Sequence, residues 1–242
     1  MIISNSGKFI FVHINKTAGT SVTDALAPCL RWNDIVLGAT PVGTALNAPY
    51  RDRFGLYKHS TAREIRAVVG DEVWRSYTTF CVLRDPIDRA VSLYRYLKRM
   101  QADRSELRRR LRDLLGRSRP DWPATVALRE TDSFSAFIRH PRIHFDPGFL
   151  GQHAFVCDEA GNVIVDRLLR FETIADDFAA LAAELGLPAD PIGHSNRSGT
   201  GAGAARPELS DDDVAFLKER FARDYALLAA RAPLPAAAQK GE

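Results

Sequence analysis

The 242-residue chain is predicted to be an α/β protein, with a mostly parallel central sheet flanked by helices in a single domain. Three observations lead there. Short apolar and β-branched runs at residues 8–14 and 78–83 have the pattern of strands buried on both faces, and residues 163–170 read as a further strand. Each run is followed by a turn and then a segment with helical periodicity, so strands and helices alternate, as in a parallel sheet covered on both faces. A composition of 45% apolar, 26% charged and 9% aromatic residues belongs to a folded chain long enough to build its own core.

Residues 8–14 (KFIFVHI) form the first strand, residues 15–21 (NKTAGTS) a small-residue turn, and residues 22–27 a helix that Pro28 stops. Residues 31–57 scatter Gly, Pro and Asn without a sustained period and are expected to be loop with at most short elements. Thr61 and Glu64 have capping-box spacing, ahead of an apolar stripe at Ile65, Val68 and Val69, with Gly70 as the stop. After the second strand, Asp85 caps and Pro86 opens a helix carrying Ile87, Val91, Tyr94 and Leu97 on one side. A basic helix over 105–115 turns Leu107, Leu111, Leu114 and Leu115 inward until Pro120 and Pro123 break the chain. The third strand leads to an amphipathic helix over 173–185 ended by Gly186, then to a Gly- and Ala-rich loop at 196–207. Ser210 caps the last helix, where Asp211, Asp212 and Asp213 complement the dipole. The domain is expected to span residues 1–231 and to leave a disordered tail at 232–242.

Charge and cysteine content exclude several classes. The net charge of +3 hides a segment between Lys98 and Arg119 with nine basic and three acidic residues, on an otherwise mildly acidic chain. A globally basic nucleic-acid binder is disfavoured; the arginine-rich helix is either a solvated face or a surface attracting an anionic glycan. Cys29, Cys81 and Cys157 are odd in number and far apart, which fits a reducing cytoplasm and offers neither a CxxC pair nor a cysteine-rich zinc site. His140, His144 and Asp146 suggest a metal, but Pro141 argues against a helical pair and no metal is expected. No targeting segment is evident at the start, and no run of about 18 apolar residues predicts a membrane span.

The two turns carry the chemistry. In the first, Lys16, three hydroxyls and the backbone N–H groups of a helix start converge behind a buried strand, as an anion cradle requires. Lys16 comes first, unlike the GxxxxGK[ST] loop of nucleotide triphosphatases, and a merely well-capped turn is the other reading. In the second, Arg84 and Ser92 could hold a second phosphate, or Arg84 could pair with a surface carboxylate. Ligands of such sheets bind beyond the carboxyl ends of the strands, so two anion sites there suit a ligand with separated phosphates.

The stretch His13-Ile14-Asn15-Lys16-Thr17-Ala18-Gly19-Thr20-Ser21 resembles the 5′-phosphosulfate loop of sulfotransferases that use 3′-phosphoadenosine 5′-phosphosulfate (PAPS), of the carbohydrate type that includes heparan and chondroitin sulfotransferases and bacterial relatives. Residues 82–94 (VLRDPIDRAVSLY) resemble that family's 3′-phosphate motif, and 58–62 (KHSTA) the segment holding its base. Weaker likenesses surround Arg170-Phe171-Glu172, residues 194–198, and Asp224 with Tyr225, so that about residues 8–228 are covered. Asn15 stands where the family usually has proline, and Gly151-Gln152-His153 where relatives often show Pro-Gln.

The resemblance implies a P-loop-like nucleotide-binding architecture. It assigns Lys16, Thr17, Ala18, Gly19, Thr20 and Ser21 to the 5′-phosphosulfate, and Arg84 and Ser92 to the 3′-phosphate. His59 becomes the candidate general base and Lys16 the group stabilising the leaving phosphate oxygen, with no metal required. On sequence grounds alone His59 reads as a loop or cap histidine just before the helix at Thr61. His13 is expected to be structural, and Arg197 and Ser198 are candidates to close over the nucleotide. The acceptor is expected to be a carbohydrate or another hydroxyl-bearing molecule; the oligomeric state is not legible. A small-molecule kinase and a non-catalytic nucleotide- or polyanion-binding module are the alternatives.

Overall fold

In the computed structural model, which describes residues 1–103, 122–192 and 206–230, contacts group the chain into two units. The first takes in Met1–Asp85, Gly151–Asn196 and Arg223–Glu242, the second Pro86–Leu150 and Arg197–Ala222.

The first unit is built on a five-stranded sheet. Strands β1 (Ile2–Ser4), β2 (Phe9–Val12), β3 (Ile35–Val36), β4 (Thr78–Leu83) and β5 (Arg167–Arg170) stand in the order β3-β1-β2-β4-β5. Its centre is parallel as expected: Phe11 of β2 faces Phe80 of β4, and Val82 of β4 faces Leu169 of β5. On the β2 side of the sheet, β1 and the edge strand β3 are antiparallel additions absent from the sequence reading. At two and three residues they are too short to carry a period.

One face of the sheet buries Phe9, Phe11, Phe80, Val82 and Leu169 against Val22 and Leu26 of α1 (Gly19–Leu26) and against Phe178 and Leu181 of a helix at Ile174–Glu184. Pro28 does not simply end α1, since Ala27–Cys29 continues it as a 3-10 turn. Residues 31–57 are not loop either. Thr40 caps α2 (Pro41–Phe54) by accepting from the Gly43 N–H at 2.9 Å, and Gly43 is its only buried residue. A helix that buries almost nothing shows no apolar stripe, which is why periodicity missed it.

Helix α3 (Ala62–Ser76) opens with the expected capping box, Thr61 and Glu64 bonding each other's backbone N–H groups. Gly70 does break the helical dihedrals, at φ 84°, but a further helical piece follows to Ser76.

The second unit begins with α4 (Pro86–Asp103), which buries Val91, Tyr94 and Leu97. It continues through α5 (Pro123–Arg129), α6 (Phe134–Arg139) and a 3-10 turn at Pro141–Phe145. Arg89, 1% exposed, donates to the carbonyls of Gly148 and Leu150 and lies over Phe221. In sequence order α7 (His153–Val156), α8 (Ile174–Glu184), α9 (Asp211–Arg220) and α10 (Ala222–Ala229) complete the described helices, and Ser210 caps α9 in a capping box with Asp213. The basic helix expected over 105–115, most of the Gly-rich loop at 196–207, Arg197, Ser198 and the tail at 232–242 lie outside the described residues. Among the described residues no helix is long and apolar enough to cross a membrane.

Candidate active site

The turn between β2 and α1 is held in an uncommon backbone shape. Lys16 and Ala18 both have φ 65°, the left-handed region that costs a residue with a side chain about 1–2 kcal/mol. Such strain persists only where the surroundings over-determine it. Here Thr17, fully buried, donates its hydroxyl to the Ile14 carbonyl at 3.0 Å, so that hydroxyl serves the shape of the turn. Gly19 has no room for a side chain: a Cβ would sit 1.9 Å from His13 Nε2. Ala18, the N-cap of α1, supplies no capping side chain, so the N–H groups of the first turn at Gly19, Thr20 and Ser21 receive no cap from it. Ser21 is buried and Thr20 exposed.

His13 ends the strand beneath this turn, buried and stacked on Phe11, with ring centroids 5.4 Å apart. This packing is what a structural histidine would have, and the residue also connects to the base candidate. The His59 ring meets the His13 ring edge-on at 4.8 Å, and His59 Nδ1 lies 2.8 Å from the His13 carbonyl. A carbonyl only accepts, so Nδ1 carries the proton and Nε2 is the unprotonated nitrogen. Burial pulls the His59 pKa down to about 3, against the backbone hydrogen bond, while Lys58, the Met1 amine and Lys16 lower it further. The imidazole is therefore neutral at pH 7. The surroundings suit an anion: Lys16 and Lys58 are basic groups beside the ring, and His13 Nδ1 is a buried nitrogen with no hydrogen-bond partner among the described residues.

The second turn reaches the first through one side chain. Arg84, just past β4, donates from Nη1 to the Lys16 carbonyl at 3.2 Å, and its guanidinium lies 4.0 Å from the centre of the Phe171 ring. Its backbone is met on both sides by Gln152, whose Oε1 accepts from the Arg84 N–H at 2.9 Å and whose Nε2 donates to the Arg84 carbonyl at 2.8 Å. Asp85 follows, its N–H donating to Glu172 at 3.0 Å and its carboxylate accepting from the Tyr225 hydroxyl at 3.3 Å. Lys16, Arg84, His13 and His59 thus belong to one unit. Ser92 lies buried on α4 in the other. Gln152 carried no signal in the sequence beyond its place in the Gly151-Gln152-His153 departure.

His140 and Asp146 are engaged otherwise than as metal ligands. His140 Nε2 lies 2.9 Å from Glu130, and Asp146 accepts from the N–H groups of Ala124 and Gly148. Among the described residues no group of three or more histidine, cysteine or acidic side chains is placed to hold a metal ion.

Compared with known proteins, residues 1–228 match the model of the Sulfotransferase family. No curated protein and no solved structure matches the chain.

Proposed function

Because the chain belongs to the sulfotransferase family, we propose that it transfers the sulfuryl group of PAPS to an acceptor hydroxyl, with carbohydrates the first acceptors to screen and His59 as general base. One observation carries this reading. The hydrogen bond from His59 Nδ1 to the His13 carbonyl joins the base to the strand that ends in the Lys16 turn, and leaves the other ring nitrogen unprotonated.

When bound, the donor supplies an activated sulfuryl group on a phosphate leaving group. His59 Nε2 accepts the acceptor's hydroxyl proton as that oxygen attacks sulfur in line with the departing phosphate oxygen. Lys16 and the N–H groups at Gly19, Thr20 and Ser21 hold the 5′-phosphosulfate and stabilise charge on the leaving oxygen. Arg84 holds the 3′-phosphate, its guanidinium oriented by Phe171 and the Lys16 carbonyl. The resemblance assigns Ser92 to the same phosphate. By analogy with phosphoryl transfer, the protein's work is positioning and electrostatic stabilisation.

Calorimetric titration with adenosine 3′,5′-bisphosphate tests the reading. Binding is expected in the native protein, and Arg84→Ala should weaken it about 10- to 100-fold, the loss of one or two charge-assisted hydrogen bonds. Absence of binding, or binding indifferent to Arg84, refutes the assignment. Transfer from labelled PAPS to a panel of glycans and small hydroxyl compounds then identifies the acceptor.

A further inference from the structure

Arg84 stands where a strand leaves its sheet, and such a position ordinarily leaves backbone groups to find partners elsewhere. The ladder beside it runs one step past β4, the Phe171 N–H donating to the Leu83 carbonyl at 2.7 Å. At Arg84 the neighbouring strand is replaced by a side chain. The Gln152 carboxamide accepts from the Arg84 N–H and donates to its carbonyl, reproducing with one amide the paired bonds of a strand neighbour.

Gln152 is itself fixed from behind. It is fully buried, and its own N–H donates to Asp224 Oδ2 at 2.7 Å. Asp224, on α10 and also fully buried, takes the His153 N–H at 3.0 Å and His153 Nδ1 at 2.7 Å on its other oxygen. A buried carboxylate satisfied by three donors is costly to displace, which makes it a firm anchor. The geometry points to Gln152 as a positioning residue for nucleotide recognition: anchored by Asp224, it fixes the backbone of Arg84 so that the guanidinium meets the 3′-phosphate without first being ordered.

This inference rests on the reading of Arg84 as the 3′-phosphate group. Pre-organisation of this kind adds affinity by removing the cost of ordering a long side chain. Its effect should therefore appear only in ligands that carry the phosphate. A role in folding alone would weaken every nucleotide equally.

The experiment compares adenosine 3′,5′-bisphosphate with adenosine 5′-phosphate by calorimetry on the native protein and on Gln152→Met, which keeps the length of the side chain but neither hydrogen bond. The native protein should prefer the bisphosphate by at least about tenfold. Gln152→Met should lose most of that preference while binding the monophosphate within about threefold of native. Asp224→Asn, which weakens the anchor at one remove, should show a smaller loss in the same direction, and it carries the test should Gln152→Met not fold. A folded variant that keeps the full preference, or weakens both nucleotides equally, overturns the positioning role. A native protein with no preference overturns the reading of Arg84 itself, and the inference with it.

Discussion

The turns after β2 and β4 stand at the same end of neighbouring parallel strands, yet they are held in place by opposite means. The first is fixed largely by its own neighbours in sequence: Thr17 bonds Ile14, and His13 fills the space above Gly19. The second is fixed from far along the chain, by Gln152 at 68 residues' separation and Tyr225 at 140. A cradle built from backbone must have its shape set locally, because each N–H group points where its own dihedrals send it. A site built from one long side chain needs its few rotatable bonds fixed, and any part of the fold can do that.

The largest effect should come from the distant group docked on the local turn. His59→Ala is expected to lower kcat by about 10²- to 10⁴-fold, the usual worth of a positioned base, with bisphosphate binding nearly unchanged. Steady-state kinetics with labelled PAPS would show this, and full turnover would move the base elsewhere. The pH dependence sharpens the point. Burial holds His59 at about 3, below its usual 6.5, so the free protein's imidazole stays neutral across the range where an exposed histidine would titrate. The acid limb of kcat/KM should therefore fall well below pH 6.5. Stability follows the same sign: below pH 6.5 the unfolded chain takes up a proton that the folded His59 refuses. This contribution is present above pH 6.5 and is lost as pH falls towards about 3. His59→Gln should make that part of a stability-against-pH curve measured by urea unfolding less steep, the buried His13 contributing the remainder with the same sign.

Next in size is a matched pair of glycines. In Gly19→Ala the new methyl meets a buried ring at 1.9 Å, whereas in Gly151→Ala it meets the His153 ring at 2.4 Å. His13 is 3% exposed and has nowhere to go, while the His153 side chain is 30% exposed and can swing aside at the cost of its bond to Asp224. Thermal unfolding should show Gly19→Ala losing about 1–3 kcal/mol, the range for overpacking a filled site, and Gly151→Ala less. Equal losses would mean that the segment around Gln152, which holds the second turn, is as rigid as the first turn.

Legibility in the sequence follows the same division. The parallel centre of the sheet could be read because FIFV and TTFCVL are continuous apolar runs, and the first turn because its components are adjacent in the chain. The Thr61 and Ser210 caps could be read because a capping box spans only four residues. Helix α2 was hidden because it buries only Gly43 and so has no stripe. Gln152 was hidden for another reason: an amide that replaces a strand neighbour leaves no local pattern, and only the folded chain brings it to Arg84. The sequence did place Asp224 and Tyr225 in the closing region, but their partners, Gln152 and Asp85, come from tertiary structure.

The smallest expected effect probes the strain in the first turn. Ala18 occupies the left-handed region at φ 65°, which costs an alanine about 1–2 kcal/mol. Glycine would remove that cost but would lose about 0.5–1 kcal/mol through the greater freedom of the unfolded chain. The two nearly cancel, so Ala18→Gly should change unfolding free energy by no more than about 1 kcal/mol, towards greater stability. Bisphosphate affinity should stay within a few-fold, because Thr17, Gly19 and His13 still define the turn. If affinity fell tenfold with stability unchanged, the Ala18 methyl would be holding the cradle open, and the first turn would depend on one side chain just as the second depends on Gln152.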